Sequence, residues 1–340
     1  TLFMYLPWSS NLTNYFYNNI SDLEKCITKI GLNNEKVIVF ISTGSTEAMM
    51  FEIVSSHGRC KREILKKYKS PPFTTIDGIT AILNDVKAFA PASVYTMIIG
   101  CHGMGWLPVY EMKVRSAPHM KMHWEYQGVP LTRYFGIANA GMKMEYILFD
   151  DCYMSSIEVA YELKDVTKYL IGSTSEMMAY GMPYAAIGEY LLGNPDYQSG
   201  CEEFYNFYST YEIMPCGTLA VTDCSELENM AAIIKSINSK YSFDKSLRGT
   251  IQRLDGYTPV IFYDFADYIT SLCNDPILLN QFREQLNHLV PYKTHTKNFY
   301  TMAKGIIPIN TFSGITTSDP SDNPMTVLKE NTLWYKAAHN

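Results

Sequence analysis

Two residues with the chemistry of a nucleophile and a base follow buried-strand patterns in this chain. His102 comes just after the apolar run 93–100. Cys152, 50 residues after His102, directly follows a second run at 144–151. Parallel strands deliver their carboxyl ends to one edge of a sheet, which is where ligands bind in such folds. If the two strands are neighbours, the imidazole can take the proton of the thiol. We therefore predict that His102 and Cys152 are catalytic.

The residues beside this pair would support acyl transfer. Gly103 follows His102 directly, so its backbone N–H can approach a substrate carbonyl with no Cβ in the way. Together with the N–H of Cys152 it would form an oxyanion hole, which needs two donors aimed at one point. A helix pattern opens near Ser155 in the form of a capping box. Its positive dipole end is expected to lower the pKa of the thiol and favour the thiolate.

An acidic residue stands two positions before the cysteine. Side chains alternate along a strand, so Asp150 shares a face with Cys152 while Asp151 points the other way. A carboxylate does not help a thiolate to form, because like charges disfavour each other. Asp150 makes sense as the floor of a pocket for a cationic side chain, which suggests cleavage after Arg or Lys. The alternative is a carboxylate that caps the helix near Ser155.

Metal and cofactor chemistry have little support in this sequence. His119 and His123 are four residues apart, as two ligands on a helix would be, but no acidic HExxH element accompanies them. The eight cysteines include no CxxC pair, so neither a zinc ribbon nor a thioredoxin-type site is encoded. We predict no metal and no cofactor.

The composition is that of an ordinary globular protein. Hydrophobic residues make up 47% of the 340 residues, and the net charge is −6. This acidic balance gives no electrostatic reason to expect a nucleic-acid partner. The most basic stretch, residues 61–69, is predicted to be the solvated face of a helix. No apolar run reaches the roughly 18 residues of a membrane span, so no transmembrane segment is expected.

The elements that must position the candidate site alternate between strand and helix. Strand patterns cover residues 1–8, 36–43, 48–55, 93–100, 144–151, 168–175 and 217–221, and helix patterns cover 11–30, 75–89, 155–166, 184–192 and 197–211. This repetition predicts an α/β fold with a mostly parallel central sheet and helices on both faces. The alternation weakens near residue 222. We therefore expect a catalytic domain of residues 1–222 and a smaller, helix-rich C-terminal region of residues 223–340 packed on it.

The segments around His102 and Cys152 resemble the paired His-Gly and Asp-x-Cys motifs of clostripain-like cysteine peptidases, in the clan of caspases, gingipains and legumains. The matching stretches read IIGCHGMGW, residues 98–106, and ILFDDCYMSSIEVAYEL, residues 147–163. A histidine about 50 residues before the cysteine is also part of the caspase pattern. The likeness covers most of residues 1–190, including Asn11-Leu12 in the family's first loop. It is looser in the C-terminal third.

The resemblance implies a caspase-like three-layer sandwich and an endopeptidase with a Cys–His dyad that needs no third member. It implies cleavage after Arg or Lys, with Asp150 as the primary specificity acid. Residues 175–184 depart from the family's Pro-Gly-x-Gly stretch. There Glu176 is a candidate second acid, and Tyr180 is a candidate residue for narrowing the substrate pocket.

Further expectations follow from the same resemblance. Family members often cut themselves between the His and Cys segments, and the preferred bond here is Arg115-Ser116. Members are typically exported, so we expect a secreted, periplasmic or envelope protein whose targeting signal is outside this sequence. We expect peptide or protein substrates and a monomer, cleaved or not into two associated chains. A same-fold peptidase that prefers Asn or Asp, and a catalytically silent envelope or binding module, remain the alternatives.

Overall fold

The computed structural model of the chain describes residues 1–7, 11–44, 46–69, 72–107 and 131–339. The strands are β1 (Leu2–Leu6), β2 (Val37–Ser42), β3 (Glu47–Ser56), β4 (Arg59–Lys69), β5 (Thr96–Ile99), β6 (Met144–Phe149), β7 (Thr167–Gly172), β8 (Thr218–Asp223), β9 (Tyr263–Asp264), β10 (Tyr292–His295), β11 (Asn298–Thr301), β12 (Gly305–Pro308) and β13 (Thr316–Thr317). The helices are α1 (Thr13–Ile30), α2 (Ile76–Phe89), α3 (Gly136–Asn139), α4 (Ile157–Leu163), α5 (Tyr184–Leu191), α6 (Tyr197–Ser209), α7 (Leu227–Asn238), α8 (Phe265–Leu272), α9 (Pro276–Leu289) and α10 (Leu333–His339).

A central sheet of nine strands, counted over these ranges, has the order β10-β8-β7-β6-β5-β1-β2-β3-β4. The five strands β2, β1, β5, β6 and β7 are parallel neighbours, and β3 and β8 run in the opposite direction. The connections between the parallel strands pass through helices, as parallel pairing requires. The predicted α/β fold with a mostly parallel sheet is confirmed.

Alternation along β1 shows why helices must cover both faces of the sheet. Leu2, Met4 and Leu6 pack into a core with α1, α5 and α6. Phe3 and Tyr5 pack into a second core with α2, α4 and the C-terminal helices. Each of these five side chains is at most 3% exposed. A strand that is buried on both faces has a continuous apolar sequence. The sheet with helices packed on each face is the predicted three-layer sandwich.

The basic stretch of residues 61–69 belongs to β4, so the prediction of a helix face there was wrong. His57 (φ 51°) and Gly58 (φ 69°) turn the chain back from β3, and positive φ at both central positions is typical of a tight β-hairpin. β4 then pairs with β3 along its length and forms one edge of the sheet. Lysines on an edge strand discourage pairing with another chain, which explains the charge of this segment.

The C-terminal region packs on the sheet and also extends it. β10 pairs with β8 in antiparallel fashion and forms the edge opposite β4. Leu227, Phe282 and Trp334, from three different C-terminal helices, join the core that contains α2 and α4. The division of the chain at residue 222 stays a prediction. In the described ranges, no helix combines the length and the apolar character that crossing a membrane requires.

Candidate active site

The register of two neighbouring strands brings the predicted pair together. In the parallel pairing of β5 with β6, Ile99 lies opposite Phe149. His102 and Cys152 each stand three residues beyond these partners. The spacing of 50 residues is therefore the offset between the two strands. Both side chains arrive at the carboxyl edge of the sheet, where catalytic groups are expected in this type of fold.

Hydrogen bonds continue this pairing beyond the strand ends. The N–H of Cys101 donates to Oδ1 of Asp151 at 2.6 Å, and its thiol lies 3.2 Å from Oδ2. Asp151 is 2% exposed, and burial raises the pKa of its carboxyl well above the usual range. The carboxyl group of Asp151 thus ties the histidine segment to the cysteine segment.

Gly103 lies directly against the backbone of the cysteine. A Cβ added to Gly103 would be 2.3 Å from the carbonyl oxygen of Cys152 and 2.9 Å from its nitrogen. Atoms cannot approach so closely, so a side chain at position 103 would push the two segments apart. The need for glycine here comes from contact with the cysteine itself. This contact also brings the two predicted oxyanion donors onto adjacent stretches of backbone.

The surroundings of Cys152 disfavour the thiolate. Burial, followed by the negative charge of Glu176, raises the pKa of the Cys152 thiol to about 12. The N–H of Met177 donates to Sγ at 3.2 Å and partly offsets this effect. The prediction of a lowered thiol pKa was wrong. A neutral thiol is a poor nucleophile, so a nucleophilic role for this cysteine requires a base that removes its proton.

Helix α4 explains why its dipole does not produce a thiolate. Ser156, not Ser155, is the N-cap, and its side chain accepts the N–H of Val159 at 3.2 Å. The helix therefore begins at Ile157, five residues after Cys152. The influence of a helix dipole falls off within the first turn, and α4 has only seven residues. Desolvation and the nearby carboxylates outweigh it at the thiol.

The imidazole of His102 has the properties of a general base. Its Nε2 lies 2.9 Å from Oδ1 of Asn11. Burial lowers the pKa of His102 below its ordinary value, so the ring is neutral at pH 7 and can accept a proton. Sequence reasoning placed Asn11 in the family's first loop but gave it no role. The available signal was its position after β1, which pairs with β5.

Asp150 occupies a cradle at the start of α5. Its carboxylate accepts the N–H of Met182 and the hydroxyl of Tyr184, both at 2.9 Å. Gly181 has φ 77°, and a Cβ there would lie 2.7 Å from Oδ2 of Asp150. Burial raises the pKa of Asp150 to about 6, although both hydrogen bonds favour the ionised form. The alternative role as a cap for α4 was wrong, because Ser156 caps that helix.

The carboxylate of Glu176 links the cysteine segment to the β11–β12 hairpin. Oε1 accepts the hydroxyls of Tyr153 and Thr301, each at 2.8 Å. Oε2 accepts the N–H of Met302 at 2.9 Å. These contacts fix the charge of Glu176 near Cys152, where it contributes to the raised thiol pKa.

Tyr180 lies between α1 and α6. Its hydroxyl donates to Asp22 at 2.6 Å, and its carbonyl accepts the side-chain amide of Asn19 at 2.8 Å. The ring stacks on Phe207 with 4.9 Å between centroids. The substrate-binding roles of Glu176 and Tyr180 stay predictions.

The residue after Cys152 has an unusual backbone. Tyr153 has φ 64° although it is not a glycine, and such a conformation costs of order 1–3 kcal/mol. Its ring is 1% exposed and stacks on Phe262 at 4.9 Å. This tertiary packing holds the sharp turn that follows Cys152. No local pattern in the sequence indicated it.

Two predictions fall outside the described residues. Arg115 and Ser116, the predicted self-cleavage bond, lie in residues 108–130, as do His119 and His123. Within the described ranges, no group of three or more His, Cys, Asp or Glu side chains is placed to hold a metal ion. The absence of a metal requirement stays a prediction.

The sequence model of the clostripain family matches residues 4–318 of this chain. The chain belongs to the clostripain family. A solved structure of a secreted C11 cysteine protease from Bacteroides thetaiotaomicron, named iotapain, is 56% identical to it, with a TM-score of 0.94 and coverage of 99% of this chain and 98% of that one. No curated protein matches the chain.

Two further structures extend this family relationship. A clostripain from Bacteroides thetaiotaomicron ATCC 29148, in complex with the peptide inhibitor BTN-VLTK-AOMK, is 62% identical over 64% of this chain and 97% of that one, with a TM-score of 0.62. An inactive zymogen C11 protease from Parabacteroides distasonis is 25% identical over 100% of this chain and 97% of that one, with a TM-score of 0.86. The predicted family, the caspase-like fold and the assignment as a cysteine protease are confirmed.

Proposed function

We propose that this clostripain-family protease cleaves peptide bonds after lysine or arginine, with Cys152 as nucleophile and His102 as general base. The observation that best supports the dyad is the pairing of Ile99 with Phe149, three residues before His102 and Cys152 respectively. A thiol and an imidazole at the same sheet edge have the arrangement that nucleophilic catalysis needs.

The pKa shifts favour a resting state with a neutral thiol and a neutral imidazole. His102 takes the proton from Sγ while sulfur attacks the scissile carbonyl, and it then gives that proton to the leaving amine. The N–H groups of Gly103 and Cys152 stabilise the oxyanion. Water, activated by His102, hydrolyses the thioester and regenerates the thiol.

Asp150 supplies the charge that selects a basic side chain. It lies two residues before the nucleophile, and burial raises its pKa to about 6, which leaves it mostly ionised at neutral pH. The peptide part of the inhibitor in the 62% identical clostripain is VLTK, so a lysine adjoins its AOMK group. Glu176 adds a second negative charge to this region, and Tyr180 contributes an aromatic wall.

The comparisons also support proposals about maturation and location. A similar protein is an inactive zymogen, which supports activation by processing; we place the cut in this chain at Arg115-Ser116. The 56% identical protease is secreted, which supports export of this one. The monomeric state stays a prediction that size-exclusion chromatography with light scattering tests.

Hydrolysis of fluorogenic peptides ending in Lys, Arg, Asn or Asp tests the function directly. We expect cleavage of the Lys and Arg peptides, none in Cys152→Ala, and a loss of about 100- to 10,000-fold in His102→Ala. Cys60→Ala is the matched control, since this free cysteine lies on β4, away from the site. Cleavage confined to Asn or Asp peptides would overturn the basic preference. A chain that is cut at Arg115 and still inactive would favour the silent binding module.

A further inference from the structure

Three neighbouring parallel strands lead to the active site. β1 pairs with β5, with Tyr5 opposite Ile99, and β5 pairs with β6. His102 follows the middle strand, Cys152 follows the strand on one side, and Asn11 follows the strand on the other. The histidine therefore stands between an amide and a thiol.

We propose that Asn11 is a positioning residue that fixes the tautomer and ring orientation of His102. The inference rests on the proposed dyad and deepens it. The oxygen of an amide only accepts hydrogen bonds. At 2.9 Å from Oδ1 of Asn11, Nε2 of the neutral ring must therefore carry the hydrogen. Nδ1 then holds the lone pair that, in the proposed dyad, takes the proton of the Cys152 thiol.

The same contact stabilises the transition state more than the resting enzyme. When Nδ1 gains the thiol proton, the ring becomes a cation, and the Nε2–H···Oδ1 bond becomes charge-assisted. Such bonds are about twice as strong as neutral ones. An interaction that strengthens as the reaction proceeds lowers the barrier, whereas one of constant strength does not. Asn11 thus acts on kcat through His102 without touching the substrate.

The packing around α1 explains how Asn11 reaches the histidine. Asn11 precedes this helix by two residues, and Phe16, in its first turn, is 5% exposed. A Cβ on Gly100 would lie 2.8 Å from Leu6 Cδ2 and 3.2 Å from Phe16 Cε1. Glycine at position 100 leaves room for Leu6 and Phe16, so the start of α1 packs directly on the segment that carries His102. The contact is therefore built into the sheet and helix packing.

Steady-state kinetics of Asn11→Ala and Asn11→Asp, with the peptide that the parent enzyme cleaves best, test the role. One net hydrogen bond corresponds to roughly a 2- to 13-fold loss of kcat in Asn11→Ala, with KM unchanged. Asn11→Asp keeps an acceptor oxygen and is expected to recover most of this loss. Asn14→Ala, an exposed position in the first turn of α1, is the matched control and should behave as the parent.

The tautomer provides a readout that a merely structural role would not change. In the catalytically inert Cys152→Ala protein, ¹⁵N NMR of His102 is expected to show the Nε2–H form. Adding Asn11→Ala is expected to give a mixture of both tautomers. An unchanged tautomer together with an unchanged kcat overturns the inference. A rise in KM with an unchanged tautomer does so as well, because Asn11 would then shape the substrate groove.

The outcomes also separate this inference from the proposed function. If His102→Ala and Cys152→Ala are inactive while Asn11→Ala is fully active with the parent tautomer, the dyad stands and only the role of Asn11 fails. If the two dyad variants keep their activity, the dyad fails and the role of Asn11 in catalysis fails with it.

Discussion

Replacing Gly103 by alanine probes how closely the histidine and cysteine segments must approach. The added methyl would lie 2.3 Å from the carbonyl oxygen of Cys152 and 2.9 Å from its nitrogen. Both are backbone atoms that cannot rotate away, and an ordinary contact is about 3.5 Å. The segments must therefore separate by about 1 Å, a misplacement that costs roughly 100-fold in rate. Overpacking of this kind also lowers the free energy of unfolding by about 1–3 kcal/mol.

The assay compares kcat/KM for a fluorogenic lysine peptide in the parent, Gly103→Ala and Gly249→Ala. A Cβ on Gly249 meets no heavy atom within 4 Å, so this control is expected to keep the parent's activity and stability. Urea unfolding, followed by fluorescence, establishes that each variant is folded under the assay conditions. A folded Gly103→Ala enzyme with the parent's kcat/KM would refute the argument, because the two segments would then not need their close contact.

Two further predictions concern buried charges. Burial raises the pKa of Asp150 to about 6, so its carboxylate becomes protonated as the pH falls and KM for a lysine peptide should rise below about pH 6. Asp150→Asn should remove this pH dependence of KM. A KM that stays constant with pH in the parent would contradict the role of Asp150. Lys329 and Glu158 form a 2.9 Å ion pair with side chains 6% and 0% exposed. Lys329→Met leaves the Glu158 carboxylate buried without its cation and should lower the free energy of unfolding, measured in urea, by about 3–5 kcal/mol. Adding Glu158→Gln should restore most of this loss in the double variant. Equal stability of Lys329→Met and the parent would count against the prediction.

Much of the fold follows from local patterns in the sequence. The apolar centres of two such runs, residues 37–42 and 146–149, are buried throughout, as strands covered on both faces of a sheet must be. Residues 61–69 show where this reasoning fails. Their charges are compatible with a helix surface as well as with a sheet edge. The hairpin turn at His57 and Gly58 pairs the segment with β3, which makes it an edge strand and not a helix.

The candidate pair at this sheet edge was also available from sequence. A histidine and a cysteine, each at the end of an apolar run and 50 residues apart, indicated the pair because residue type and strand position are local properties. The protonation state of Cys152 was not predictable in the same way. It depends on burial and on the charge of Glu176, which the fold brings close from 24 positions further along the chain.

The sequence by itself determined the family motifs around His102 and Cys152 and the strands that precede them, because residue type and periodicity act over a few residues. Only the tertiary structure decided which groups surround the pair. The order β1-β5-β6 sets Asn11 beside His102, and the packing of Tyr153 on Phe262 holds the turn after Cys152. These contacts join residues far apart in the chain. Strand pairing and close packing create them, and both are properties of the folded chain as a whole.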